Sequence, residues 1–356
     1  MTRLDLLRGE LEKSGLDAVI IFNELNQFYV TKIAFTDGFV FVSKRSAHIV
    51  TDFRYIEMAK KNAEAGFEVV MPADRISYIK KIIADEGIKT VGFEGDFVSY
   101  QLYSDYKSQL SEVDLSDVGA MFSSMRMIKD ASEIEKMQRA QDITDKAFSA
   151  ILKKITPEMT ELDVAVELEY EMRKNGADGF AFETIAVSGD ASSLPHGTPR
   201  PIKLRKGFLT MDFGAKLDGY CSDMTRTIVI GKADEDIKHL YNTVLKAQLA
   251  ALDYLCEGAD CGEADKVARD IIDSYPEFCG CFGHSLGHSI GLYVHESPGL
   301  NKKGFGKKLR SGQVTSVEPG IYLFGKYGCR IEDMVAIEKN GIHNFTHSTK
   351  DLIEIY

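Results

Sequence analysis

The dipeptide Asp218-Gly219, set between two strand-like runs, is the feature that most narrows what this chain can fold into. A two-residue loop of this composition closes a tight β-hairpin, because both residues tolerate positive φ. It also fixes the register around it: Leu217 pairs with Tyr220, Asp212 then faces Thr225, and Asp223 lies one diagonal step away on the same side. Diagonal neighbours approach to about 7–8 Å at Cα and somewhat less at Cβ. Residues 209–227 therefore predict two carboxylates on one face, close enough to chelate one metal ion or bridge two. The same segment also suits a plain hairpin in which one Asp is solvated.

Other chemistry-bearing residues lie further on. Gly283-His284-Ser285-Leu286-Gly287-His288 gives two histidines the i, i+4 spacing of a helical zinc site, but no Glu follows His284, and glycines at 283, 287 and 291 weaken any helix. Three of the eight histidines nevertheless fall between 284 and 295. Glu318, in Val317-Glu318-Pro319-Gly320, and Glu332, in Arg330-Ile331-Glu332-Asp333, interrupt apolar strand-like runs. A carboxylate there is costly unless it is paired, metal-bound or at the surface. Asp212, Asp223, Glu318 and Glu332 thus supply four hard oxygen donors, and one histidine supplies nitrogen.

The 356 residues exceed what one core usually supports, so a small and a larger domain are expected. Residues 1 to about 120 alternate strand patterns (16–22, 38–43, 90–93) with helical ones (54–64, 76–84), as in an α/β layer domain. The stretch 113–127 has weak periodicity, which places the boundary there, with domains at 1–122 and 123–356. Helices at about 131–154, 161–174, 234–255 and 263–274 then form two pairs, each followed by strand-rich sequence. Thr160 to Asp163 resembles a capping box and Asn175-Gly176 a helix stop. Helix, helix, sheet occurs twice in element order, without a residue-level repeat.

Composition excludes several classes. Hydrophobic residues at 44% and charged residues at 27% are far from a disordered composition. The first ten residues mix acids and bases where a secretory signal needs an apolar stretch, and no run approaches the ~20 residues of a membrane helix, so a cytoplasmic protein is expected. Six cysteines without paired C-x-x-C spacing suit neither a disulfide scaffold nor a thiolate zinc site. A net charge of -11 makes nucleic acid an unsuitable partner.

Taken in order, Asp212-Phe213-Gly214-Ala215, Ser222-Asp223-Met224-Thr225-Arg226-Thr227, His284-Ser285-Leu286-Gly287-His288, Val317-Glu318-Pro319-Gly320-Ile321-Tyr322 and Arg330-Ile331-Glu332-Asp333 resemble the Xaa-Pro peptidases. These are the aminopeptidase P and prolidase branch of the M24 "pita-bread" metallopeptidases. Leu16-Asp17-Ala18-Val19-Ile20 and Thr51-Asp52-Phe53-Arg54-Tyr55 resemble that family's creatinase-type amino-terminal domain, so the likeness spans nearly the whole chain. Tyr29-Val30-Thr31-Lys32-Ile33 departs from it, since the family often has a Leu-Thr-Gly turn there.

The resemblance implies an α/β (α+β) chain: a small creatinase-type domain, then a pita-bread catalytic domain with pseudo-twofold helix-helix-sheet repeats. It implies that Asp212, Asp223, His288, Glu318 and Glu332 hold two divalent metals per subunit. Oxygen-rich ligation favours manganese, with cobalt, iron and zinc compatible. It gives His196 and His295 contact with substrate and with the tetrahedral intermediate, places His284 at the proline pocket, and makes Arg330 and Tyr322 residues that orient the ligands, although a structural salt bridge or a buried hydroxyl would also account for these two. Attack by a metal-bridged hydroxide, with Glu318 as general base, would remove the residue before proline. The resemblance also implies a homodimer acting on proline-containing peptides.

Four alternatives stand beside an aminopeptidase P-like activity. A strict Xaa-Pro dipeptidase must clamp the free proline carboxylate. In prolidases a basic residue follows the His-Glu-x-Pro stretch, whereas His295-Glu296-Ser297-Pro298 is followed by Gly299, leaving Arg200, Lys302 or Lys303 to supply the charge from a loop. A non-catalytic binding protein could keep the fold, and the full ligand set argues against it. A creatinase-like amidinohydrolase would lack that set, and a methionine aminopeptidase would usually lack the amino-terminal domain.

Overall fold

The computed structural model describes residues 2–356. The chain divides into two compact units, one ending at Arg126 and the other Met127–Tyr356. A boundary after 122 would fall inside helix Gly119–Met127.

The first unit is built on a six-stranded sheet in the order Glu68–Val70, Ala47–Val50, Phe39–Ser43, Ala18–Ile21, Thr90–Phe93, Asp114–Asp117. Ala18–Ile21 pairs antiparallel with Phe39–Ser43 and parallel with Thr90–Phe93. Its residues are buried throughout, as a central strand covered on both faces requires. Residues 113–127, which lack periodicity, form an edge strand and helix Gly119–Met127. Asp114–Asp117 is held by its ladder with Thr90–Phe93 and not by apolar alternation, so hydropathy carries no trace of it. Lys32 ends helix Glu24–Thr31 at φ 59, taking the left-handed position that a glycine turn would otherwise fill.

In the second unit, helices Ala131–Ile151 and Glu161–Lys174 precede a four-stranded sheet, and helices Glu235–Tyr254 and Cys261–Asp273 precede a five-stranded one. The helix, helix, sheet order thus occurs twice. Each pair of helices packs an apolar stripe into its own buried core, centred on Phe148, Leu168 and Met211 in the first half and on Tyr241, Val244 and Ile272 in the second. Capping boxes start the first two helices, Asp130 with Glu133 and Thr160 with Asp163. The last helix begins at Cys261, two residues ahead of the sequence expectation. Asp260 caps it by accepting from the amides of Gly262 and Glu263. Gly262 is a close approach and not a helix breaker, since a Cβ there would lie 2.5 Å from the Phe305 ring. No described helix is long and apolar enough to cross a membrane.

The hairpin register comes out as its turn dictates. Asp218 and Gly219 take φ 50 and 82, Leu217 pairs with Tyr220, and Asp212 faces Thr225 in the ladder between Gly207–Phe213 and Met224–Ile230. At Gly214 the two arms close together, and a Cβ would stand 2.1 Å from the Ser222 carbonyl oxygen. Gly214→Ala should therefore cost about 1–3 kcal/mol through forced overpacking. Denaturant midpoints check this, and an unchanged midpoint would show that the arms can part without loss.

Candidate functional site

Asp212 sits one residue before the end of strand Gly207–Phe213, and Asp223 sits immediately before Met224–Ile230. Glu318 follows strand Val314–Val317, and Glu332 lies between Tyr327–Arg330 and Asp333–Glu338. Asp212 is still paired in the ladder one residue from its strand's end, whereas Asp223, Glu318 and Glu332 lie just outside strands, where the ladder lapses and backbone amides reach outside it. The Glu318 amide donates to the Leu286 carbonyl at 2.8 Å, and the Glu332 amide to the Thr225 carbonyl at 3.1 Å. The effect is to bring four acidic side chains from two sheets to one cavity of about 480 Å³.

His288 lies in the short strand Gly287–Ser289, at a register shift against Glu296–Leu300. Such bulges re-aim a side chain. Gly287 permits this strand to lie against Val314–Val317, since a Cβ there would be 2.0 Å from the Ser316 carbonyl oxygen. His288 Nδ1 is 3.2 Å from the Ser289 carbonyl, so that nitrogen carries the proton and Nε2 keeps a lone pair. Nε2 faces Glu318 Oε1 at 3.3 Å and Asp223 Oδ2 at 3.5 Å. Three acceptors turned on one another are unfavourable without a cation between them. Asp223, His288 and Glu332 each offer a ligand atom, and these atoms lie within 4.8 Å of one another. Asp212 Oδ1 is buried without a hydrogen-bond partner, leaving a further donor for a cation. The residues therefore fit a divalent metal site.

Arg330 ties the cluster together from behind. Its guanidinium donates to Asp212 Oδ2 at 2.6 Å, to Tyr322 Oη at 2.7 Å and to Thr225 Oγ1 at 2.9 Å. Thr225 in turn donates to Glu332 Oε2 at 2.7 Å. His284 Nδ1 donates to the Ser285 carbonyl at 2.9 Å, which leaves Nε2 to accept from the Tyr322 hydroxyl at 2.9 Å. Burial, with the Arg330 charge adding, lowers the His284 pKa to about 3, so the ring is neutral.

The carboxylates respond to their crowding. Burial raises Glu318 from 4.5 to about 7, opposed by Arg330 and reinforced by Asp212. Burial and then the neighbouring carboxylates push Asp223 and Glu332 well up. His288 and His295 are pushed down, chiefly by burial.

Of the residues singled out from sequence, Asp212, Asp223, His196, His284, His288, His295, Glu318, Arg330 and Glu332 all line this cavity. Tyr322 sits behind it, bonded to His284 and Arg330. The rings of His288 and His295 have centroids 4.3 Å apart. Arg200 is committed elsewhere, to Glu161 at 2.8 and 2.7 Å. Sequence reasoning passed over three supporting residues. Thr225 was legible as the partner facing Asp212. Ser316, which bonds Glu318 Oε1 at 3.1 Å and receives the His288 amide at 3.0 Å, had only its place two residues before Glu318 as a signal. Arg226, almost fully buried, donates to the Glu332 carbonyl and to Asp333, and nothing in its local sequence announces that contact.

Two outcomes follow from this arrangement. A raised carboxyl favours the folded state below its unfolded pKa and loses that advantage as pH climbs through its folded pKa. In chelator-treated protein, the melting temperature of the wild type relative to Glu318→Gln should therefore fall between pH 4.5 and about 7, and saturating divalent metal should reverse the fall. A difference that stays flat across this window would show that the cluster is not strained without a cation. Thr225→Val, which keeps the shape and removes the hydroxyl, should weaken metal affinity by about 10–100-fold in a competitive chelator titration. Wild-type affinity would remove Thr225 from the supporting shell.

Residues 135–339 match the family described as Metallopeptidase family M24, and residues 3–128 match the Creatinase/Prolidase N-terminal domain. The chain is 36% identical to the Xaa-Pro dipeptidase of Pyrococcus horikoshii, over 96% of each sequence. The solved structure of an Xaa-Pro dipeptidase from Bacillus anthracis superposes with a TM-score of 0.94 at 39% identity, covering 99% of both chains. That of an X-Pro aminopeptidase from Thermotoga maritima gives 0.92 at 35% identity over 100% of both. The carboxylate and histidine cluster, the two-unit architecture and these likenesses agree, and the chain belongs to the M24 metallopeptidases, with a creatinase/prolidase-type amino-terminal domain.

Proposed function

We propose that this metallopeptidase hydrolyses the peptide bond preceding proline, releasing the amino-terminal residue of Xaa-Pro peptides, with Asp212, Asp223, His288, Glu318 and Glu332 holding two divalent cations. The observation that carries the reading is the His288 lone pair set against two carboxylate oxygens at 3.3 and 3.5 Å, a cluster of acceptors that a cation satisfies. Four hard oxygen donors with a single nitrogen suit manganese, with cobalt, iron and zinc compatible. Cations in this site supply Lewis acidity, which lowers the pKa of a water and polarises the scissile carbonyl.

The chain's own groups do the rest. Glu318 accepts the proton of the attacking water and passes it toward the leaving proline nitrogen. His295 and His196, both on the cavity wall, donate to the carbonyl oxygen as it gains charge. Neutral His284, held by Tyr322, presents an uncharged ring to the proline side chain. Arg330 orients Asp212 through its 2.6 Å bond.

The names of the Pyrococcus and Bacillus relatives favour a second reading, a strict Xaa-Pro dipeptidase. Gly299, where a basic clamp would stand, favours longer peptides. The ratio of kcat/KM for Xaa-Pro to that for Xaa-Pro-Yaa decides between them, and a tenfold dipeptide advantage, about 1.4 kcal/mol, would establish the dipeptidase. A cytoplasmic homodimer completes the proposal, and size-exclusion chromatography with light scattering tests the assembly.

Chelation should abolish hydrolysis, and manganese or cobalt should restore it. Asp223→Asn should lose metal, whereas His295→Ala should retain it and lower kcat by about 10²–10³. Full activity in metal-free protein would sink the mechanism, and metal loss in His295→Ala would reassign that histidine to the ligand set.

A further inference from the structure

A second cavity, of about 430 Å³, adjoins the first and shares His284, Ser285 and Asn301 with it. Beyond these shared residues its wall is cationic, bringing Arg269, Lys302 and Lys303 together with Asp265. Arg269 is already satisfied, since it pairs with both Asp265 oxygens at 3.0 Å and donates to the carbonyls of Phe282 and His284. Lys302 and Lys303 are different. They project from the exposed turn Lys302–Gly304, and among the described residues neither forms an ion pair. In a chain of net charge -11, two uncompensated lysines beside the active cavity form a local positive field.

Asn301 links the two spaces. Its Oδ1 accepts from the Lys303 amide at 2.9 Å, which turns Nδ2 toward Gly299. A Cβ at 299 would lie 2.6 Å from that nitrogen, so the place a side chain at 299 would occupy is taken by an amide on the wall of both cavities. A peptide whose scissile bond lies at the carboxylate cluster and which runs on past His284 enters the second cavity next. An anionic group on that peptide is attracted by the lysines of the second cavity.

We propose that the second cavity is a subsite for the residue following proline, and that Lys302 and Lys303 there bind a carboxylate carried by that residue. The inference rests on the Xaa-Pro reading and deepens it. The carboxylate is either the terminus of a tripeptide or an acidic side chain.

The test uses the full-length, manganese-loaded enzyme with Ala-Pro, Ala-Pro-Ala, Ala-Pro-Ala-amide and Ala-Pro-Asp-amide. The wild type should favour Ala-Pro-Ala over its amide by about two- to fivefold in kcat/KM, the range that exposed ion pairs supply. The double variant Lys302→Ala/Lys303→Ala should abolish that preference, and Lys302→Glu/Lys303→Glu should invert it. Ala-Pro-Asp-amide cleaved as well as the free acid places the side-chain carboxylate in the subsite, and cleavage at the level of Ala-Pro-Ala-amide restricts it to the chain terminus. A preference that survives both double variants overturns the subsite, as does a loss confined to Ala-Pro, which would put the lysines on the proline carboxylate itself. Failure of the metal-loaded wild type to cleave any of the four overturns the Xaa-Pro reading as well.

Discussion

Mutual repulsion among four carboxylates in one cavity is the constraint to which the rest of the catalytic unit answers. Two unit charges 4 Å apart repel by about 4 kcal/mol at the effective dielectric of a partly buried site. Asp223 and Glu332 each bring an oxygen within 4.8 Å of the other, Asp212 and Glu318 line the same cavity, and a domain is stable by only about 5–15 kcal/mol in all. One guanidinium, Arg330, lies at ion-pair distance from Asp212 at 2.6 Å and from Glu318 at 4.0 Å. It relieves part of the strain and leaves the remainder to be neutralised by protons or by cations. That residual demand gives the site its affinity for divalent metal.

The fold meets the constraint by anchoring backbone, not by loosening the cluster. Each acidic residue sits at or beside a strand end that is bonded to another element, so the backbone positions that carry the carboxylates are held together. Arg226 contributes to the same end: it binds the Glu332 carbonyl, Asp333 and the carbonyls of Ser348 and Thr349, joining the last segment of the chain to the link that carries Glu332. Asp145 holds that segment from the other side through the amides of His347 and Ser348 at 3.0 Å. Removing one partner of such a buried network leaves an uncompensated charge, which costs more than the pair itself contributes.

Proton placement in the histidines follows from the same rigidity. His284 and His288 both donate from Nδ1 to a neighbouring carbonyl, yet the consequences differ. At His284 the free Nε2 meets a hydroxyl and is satisfied, whereas at His288 it meets carboxylates and is not. One backbone motif thus yields a neutral wall residue in one place and, in the other, a nitrogen whose lone pair is free to meet a cation.

The hairpin was legible in the sequence because its determinants are local: Asp218-Gly219 sets the turn, the turn sets the register, and the register puts Asp212 opposite Thr225 and Asp223 beside it. The four long helices were legible for a similar reason, since periodicity and caps lie within each segment. Edge strand Asp114–Asp117 was not, because its stability comes from a ladder with residues distant in sequence. The sequence by itself determined which donors exist and, through resemblance, which family they belong to. Only the tertiary structure decided that Arg330 and Thr225 join Asp212 to Glu332, that the lone pair of His288 faces two acids, and that Asn301 fills the space beside Gly299. These are contacts between residues that are, with few exceptions, far apart in the chain, and their geometry is set by packing and not by any local pattern.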